Sequence, residues 1–217
     1  MRTRVKICCI STIEEAQVVI RYGASALGLV SAMPSGPGPI SEELIAEIAA
    51  VIPPGVASFL LTSRQDAESI IAQQKRTRVN TIQLVDRISL HVYEALRMAL
   101  PGIALVQVTH VTGEESLIEA MNVQEFVDAI LLDSGNPTLA VKELGGTGRT
   151  HDWSISKRIR EAVDIPIYLA GGLKAENVAE AIQQVQPFGV DLCSGVRTNG
   201  KLDEEKLKRF FEQVNSA

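Results

Sequence analysis

The sequence predicts an α/β protein built on one parallel sheet, and three observations carry that expectation. Short β-branched runs alternate with segments of helical period along the whole chain. The strand-like runs are apolar throughout rather than alternating with polar residues, as a sheet covered by helices on its faces requires. About eight strand-then-helix units follow one another at a spacing of roughly 20–30 residues, and no low-complexity tract or Gly/Ser-rich linker divides them. The 217 residues are therefore read as a single domain, 1–217. This periodicity fits a closed eight-stranded parallel barrel, and it fits an open, doubly wound sheet equally well.

The elements follow in order. Residues 5–10 read as the first strand, and Ser11 or Thr12 caps a helix that turns Ile13, Ala16, Val19 and Ile20 inward. Residues 26–30 form the next apolar run, followed by a Pro- and Gly-rich loop over 33–39. Ser41 then opens a helix carrying Leu44, Ile45 and Ile48. Residues 56–61 are a strand, and 66–74 a helix with Ile70 and Ile71 inward. Strands at 79–85 and 103–108 flank a helix over 91–98. A helix over 114–126, a strand at 129–132 and a helix over 153–163 come next. Segments 167–170, 175–185, 190–193 and 203–214 complete the alternation.

Bulk properties narrow the function. Lys and Arg number 21 against 26 Asp and Glu, a net charge of −5, which argues against a general nucleic-acid binder. Local positive potential toward a small anion is still compatible with that balance. The apolar run after Lys6 is too short for a signal peptide, and no stretch approaches the roughly 18 apolar residues of a membrane span. Three cysteines, two of them adjacent, make a poor disulfide framework, so the reading is cytoplasmic with reduced thiols. His91, His110 and His151 are scattered without ligand spacing, and neither metal nor cofactor is expected. His110 ends a strand and is read as a satisfied loop histidine, and Trp153 as a packing residue.

Chemistry concentrates in three Gly-rich segments after late strands. They are Gly145-Gly146-Thr147-Gly148-Arg149, Ala170-Gly171-Gly172-Leu173 and Cys193-Ser194-Gly195-Val196-Arg197. Glycine lets backbone N–H groups approach a phosphate closely, and helix starts add partial positive charge. One such segment alone is a tight loop. Three at the same end of successive strands point to a phosphate site built from Gly146, Thr147, Gly148, Gly171, Gly172, Ser194 and Gly195. Cys8, near the end of the first strand, and Asp133, after the run 129–132, both fall where barrel chemistry occurs. A thiolate serves as a base and a desolvated carboxyl as an acid. Taken singly, a core cysteine and a loop-capping aspartate are the plainer explanations. Lys6 is expected to project away from Cys8 and to leave its ionisation alone.

Val5-Lys6-Ile7-Cys8, Leu131-Leu132-Asp133-Ser134, the run from Gly145 to Asp152-Trp153, Leu169-Ala170-Gly171-Gly172-Leu173 with Asn177-Val178, and Gly189-Val190-Asp191 with Ser194-Gly195-Val196 occur in this order. Together they resemble the phosphoribosylanthranilate isomerase family over nearly the whole chain. The resemblance implies a (β/α)8 TIM barrel and an Amadori rearrangement in tryptophan biosynthesis. It further implies Asp133 as general acid, Cys8 as general base, no cofactor, and a phosphorylated small-molecule substrate. A homodimer is left open.

Departures from the family pattern cluster on one side. Cys9 stands where the family has Gly. The loop Ser35-Gly36-Pro37-Gly38-Pro39 lacks the family's Arg, which faces the anthranilate carboxylate. Gln83-Leu84-Val85-Asp86 lacks a mouth histidine. Arg64 and Gln83 are the candidate substrate contacts that remain on that side. A weak hold on the carboxylate is expected, with a related phosphosugar isomerase or a phosphate-binding barrel as the alternative.

Overall fold

The computed structural model describes residues 2–136, 139, 142–145 and 148–217. Eight strands, β1 (Arg4–Ile7), β2 (Ala26–Val30), β3 (Ala57–Thr62), β4 (Thr81–Leu84), β5 (Ala104–His110), β6 (Ala129–Asp133), β7 (Ile167–Leu169) and β8 (Gly189–Leu192), close into a parallel barrel in sequence order. Each is followed by a helix: α1 (Ile13–Arg21), α2 (Glu42–Val51), α3 (Ala67–Thr77), α4 (Leu90–Ala99), α5 (Glu115–Val123), α6 (Trp153–Ala162), α7 (Val178–Val185) and α8 (Glu204–Ser216). Closure decides the question that periodicity left open: the sheet is a barrel.

Period-two alternation along the strands divides the apolar residues into two cores. Ile7, Leu27, Leu29, Leu60, Ile82, Leu84, Ile130, Leu132 and Val190 point outward and pack under the helices. Ala26, Val30, Phe59, Leu61, Val106, Val108, Leu131 and Tyr168 fill the barrel interior with Cys8 and Cys9. Strand residues are thus apolar on both faces, because both faces are covered. Five helices begin on side-chain caps, with Thr12, Ser41, Asp66, Asp152 and Asp203 each accepting a backbone N–H of the first turn.

Several boundaries differ from the sequence expectation for identifiable reasons. The first strand ends at Ile7 rather than Ile10, since Cys9 takes the left-handed φ of +61° and turns the chain out of the sheet. The seventh helix starts at Val178 rather than Ala175, because the Asn177 side chain first closes a turn by accepting the Lys174 N–H at 2.9 Å. After β8 comes a single 3-10 turn over Ser194–Val196 and then a small hairpin, β9 (Arg197–Thr198) with β10 (Lys201–Leu202). Its tip is Asn199-Gly200 with both φ positive, a two-residue hairpin signal present in the sequence and overlooked there.

One polar pair crosses the barrel seam. Lys6 on β1 faces Asp191 on β8 in register, and its ammonium lies 2.9 Å from Asp191 Oδ2 with the lysine wholly buried. A bare ammonium there would carry a large desolvation cost, which the neighbouring carboxylate offsets. Burial lowers the lysine pKa, and the charges of Asp191 and Cys8 outweigh it, so the group stays protonated above its ordinary range. Asp191→Asn should therefore destabilise the fold by about 3–5 kcal/mol by stranding a buried cation. Replacing both partners by apolar residues of similar volume should recover most of that loss. Denaturant midpoints of the single and double variants test this; a single substitution costing under about 1 kcal/mol would show that the pair carries little.

Candidate active site

The strand ends at the C-terminal mouth of the barrel surround a cavity of about 760 Å³. Cys8, Gln83, Asp133, Gly148, Gly171, Gly172 and Ser194 all line it, so seven of the sequence-predicted site residues meet in one place. Gly195 lies in an adjoining hollow that shares Gly148, Gly172 and Ser194 and also takes in Lys206 and Arg209 from α8. Gly146 and Thr147 lie outside the described residues.

Cys8 and Asp133 come from strands far apart around the ring, β1's end and β6, and both are buried. Alternation places them: Lys6 and Cys8 are two residues apart and share a face, as do Leu131 and Asp133. Lys6 therefore points into the interior on the same side as Cys8, which corrects the expectation that it faces away. Gly28 on β2 marks the spot, since a Cβ there would sit 2.7 Å from Cys8 Sγ and 3.0 Å from Lys6 Nζ. The missed signal was the i, i+2 spacing itself.

Burial raises the Asp133 carboxyl above the usual carboxylate range, with the Asp191 charge acting the same way. The nearby His110 and Lys6 charges and the Ser134 N–H oppose that shift without cancelling it. His110 is opposite Asp133 in the β5–β6 register. Its Nε2 is 3.1 Å from Val85 O, so the ring is held as a strand-end histidine rather than as a cavity wall. Gly145 lies close by, where a Cβ would come 3.1 Å from Asp133 Oδ2.

The glycine-rich side is shaped by close backbone approach. A Cβ at Gly195 would stand 2.1 Å from Leu173 O, so only glycine lets the loop after β8 nest on the loop after β7. The turn at Ser194–Val196 occupies the position of the short extra helix that barrel phosphate sites use. Asn177 Nδ2 donates to Gly172 O at 3.1 Å and fixes the second loop.

The opposite side is apolar: Val30, Met33, Leu61, Val85, Val108, Leu131 and Leu144 line it beside Pro37. Gln83 is the polar exception, with Oε1 buried and unpartnered among the described residues. Arg64 is not brought to the cavity. Its guanidinium lies 3.2 Å from Glu42, a carboxylate on α2 that also gathers Arg76 and Gln73 and so draws Arg64 outward. Lys142 comes to the same rim but pairs with Asp86. No Lys or Arg lines the cavity among the described residues, nor do His, Cys, Asp and Glu gather there as a metal cluster. Cys9 and Cys193, unassigned from sequence, also reach the wall.

A closed (β/α)8 barrel with a buried thiol, a buried acid and glycine-rich loops around a cavity at its C-terminal mouth has the architecture of a barrel enzyme. The chain is a member of the N-(5'-phosphoribosyl)anthranilate (PRA) isomerase family, whose sequence model matches residues 5–213. It is 37% identical over 216 residues to N-(5'-phosphoribosyl)anthranilate isomerase 2 of Methanosarcina mazei, spanning 98% of this chain and 94% of that protein. A phosphoribosyl anthranilate isomerase solved with reduced 1-(o-carboxyphenylamino)-1-deoxyribulose 5-phosphate superposes with a TM-score of 0.79 at 30% identity, covering 99% of this chain and all of that one. A monomer derived from the dimeric enzyme of Thermotoga maritima superposes with a TM-score of 0.80 at 29% identity, again over 99% of this chain and 100% of that chain.

His151, which leads into α6 against Gly171, gives a stability test. Burial pushes its pKa down to about 4, and Nε2 is 2.6 Å from Ser156 Oγ. The unfolded histidine binds its proton near pH 6.5 while the folded one resists until about pH 4, so the unfolded state takes up more protons between those values. Stability should fall by roughly 2–3 kcal/mol on acidification through that window. His151→Asn should flatten that part of the curve, as urea unfolding at a series of pH values would reveal.

Proposed function

We propose that this chain isomerises N-(5'-phosphoribosyl)anthranilate to 1-(2-carboxyphenylamino)-1-deoxyribulose 5-phosphate, as an isomerase of tryptophan biosynthesis. The observation that carries the reading is the meeting of Cys8 and Asp133, from opposite parts of the barrel, on one cavity beside the glycine-rich cradle. Family membership supplies the substrate.

The geometry suits the chemistry step by step. Backbone amides around Gly148, Gly171, Gly172, Ser194 and Gly195 receive the 5'-phosphate, with Lys206 adding positive potential from α8, where Arg209 is paired with Glu176. The apolar wall from Val30 to Leu144 takes the aromatic ring. Asp133, whose pKa burial raises, gives its proton to the ribose ring oxygen as the C1'–O bond breaks and the anilino nitrogen forms an iminium. Cys8 as thiolate removes the C2' proton, and those electrons move into the iminium to give an enolamine. Tautomerisation yields the ketone. The iminium is the electron sink, and Lys6 lies beneath Cys8 on the same face of the strand. Gln83, with its buried unpaired oxygen, is the polar contact on the aromatic side. A cytoplasmic site of action and a homodimer, the latter by analogy with the Thermotoga protein, belong to the same reading.

Asp133→Asn and Cys8→Ser should each lower kcat by on the order of 10²–10⁴, while inorganic phosphate or a phosphosugar product analogue binds as before. Steady-state assays with calorimetric binding decide the matter, and near-normal turnover in either variant removes the mechanism. Restoration of growth in a tryptophan auxotroph lacking this isomerase separates the reading from another phosphosugar substrate.

Arg64 and Lys142 are both held by carboxylates away from the wall, which supports a weak grip on the anthranilate carboxylate. Binding of an analogue without that carboxylate should fall less than tenfold, about 1.4 kcal/mol. A hundredfold fall would mean that a cation is recruited on binding.

A further inference from the structure

The cavity wall carries two thiols that the isomerisation does not use. Cys9 and Cys193 pack together with Cys8 in one cluster at the mouth, and all three are free thiols. Cys193 packs against the same buried cluster that holds Cys8 and Cys9. Neighbouring strands fix this meeting. Ile7 on β1 pairs with Leu192 on β8, and the Cys8 N–H donates to Leu192 O at 2.8 Å, so the continued register sets Cys193 opposite Cys8 with Cys9 the next residue along, and Arg197 from the loop after β8 donates to Cys9 O at 2.6 Å. Adjacent strands lie about 4.8 Å apart, within the separation that a disulfide spans. Cys8 and Cys9, consecutive in the chain, bridge only with strain.

The two sulfurs are unequal. Cys9 is buried, and its thiol donates to Pro37 O at 3.6 Å. Cys193 is more exposed and lies near Arg197, which is anchored by Glu15 at 2.9 Å and by Cys9 O at 2.6 Å. The neighbouring Cys9 thiol and then the Arg197 charge hold the Cys193 thiol below its ordinary range against the effect of burial. The neighbouring Cys193 and Cys8 thiols, with burial, push Cys9 up. An accessible, acidic thiol beside a protonated partner is the arrangement of an oxidant-sensing cysteine with its resolving cysteine.

We propose that Cys9 and Cys193 form a peroxide-responsive pair whose disulfide ties the turn after β1 to the loop after β8 and turns the site off. The Cys193 thiolate attacks one oxygen of hydrogen peroxide, breaking the O–O bond, giving a sulfenic acid and releasing hydroxide. The Cys9 sulfur, losing its proton, then attacks the sulfenic sulfur, and hydroxide leaves to become water. In sum, two thiols and one peroxide become one disulfide and two waters. The bridge joins the residue after Cys8 to the residue before Ser194, so it moves the thiol and the anion cradle together. The effect on turnover rests on the isomerase reading above, whereas the bond itself does not.

The test uses the full-length reduced chain, treated with hydrogen peroxide at neutral pH, alkylated, digested and mapped by mass. A cross-linked peptide pair joining positions 9 and 193, two hydrogens lighter than its parts, is expected. Turnover should fall by roughly a hundredfold, the effect of about 1 Å of misplacement at a reacting centre, and dithiothreitol should restore it. Cys193→Ser and Cys9→Gly should each lack the link and keep their own untreated turnover after peroxide. Absence of the link in the unsubstituted chain overturns the proposal. So does equal inactivation of both variants, which would place the oxidation on Cys8, or a link that leaves turnover unchanged. Should the untreated chain show no isomerase activity, the link still decides the thiol pair, and the two failures stay distinct.

Discussion

The buried Lys6–Asp191 pair at the β1–β8 seam is the contact on which the rest of the site depends. It sits where the barrel closes, and closure brings the first strand beside the last. Without closure Cys8 would have no neighbour from β8, and Asp133 would have no thiol across a cavity. The pair also sets the electrostatics at the mouth, since both members act on Asp133 in opposite senses and Lys6 lies beneath Cys8. A single buried cation is thus shared between the seam and the surroundings of Cys8 and Asp133.

The two halves of the mouth are built from different materials. The glycine-rich half is backbone: loops after β6, β7 and β8 nest because glycines permit contacts that a Cβ would forbid. The other half is apolar side chain. Glycine-built cradles tolerate little change, whereas an apolar wall is altered residue by residue without loss of the fold. Cys9 lies on the boundary, with a left-handed backbone that favours glycine and a thiol that donates to Pro37 O.

Motif spacing in the sequence pointed to Cys8, Asp133 and most of the cradle as site residues, because the chemistry of each type restricts where a barrel can use it. Arg64 shows the opposite case. Its position after β3 suggested the mouth, but Glu42, Arg76 and Gln73 from two helices decided where its guanidinium went. Local sequence carries no record of such a competition between distant groups.

Sequence alone determined the α/β alternation, the apolar strands, the helix caps and the identity of the candidate acid and base. Those properties follow from period, capping chemistry and residue type, all local. Tertiary structure alone decided that the sheet closes, that Lys6 meets Asp191, and that Cys193 arrives beside Cys9. Each of these joins residues more than 180 positions apart, and strand register, not sequence proximity, sets such distances.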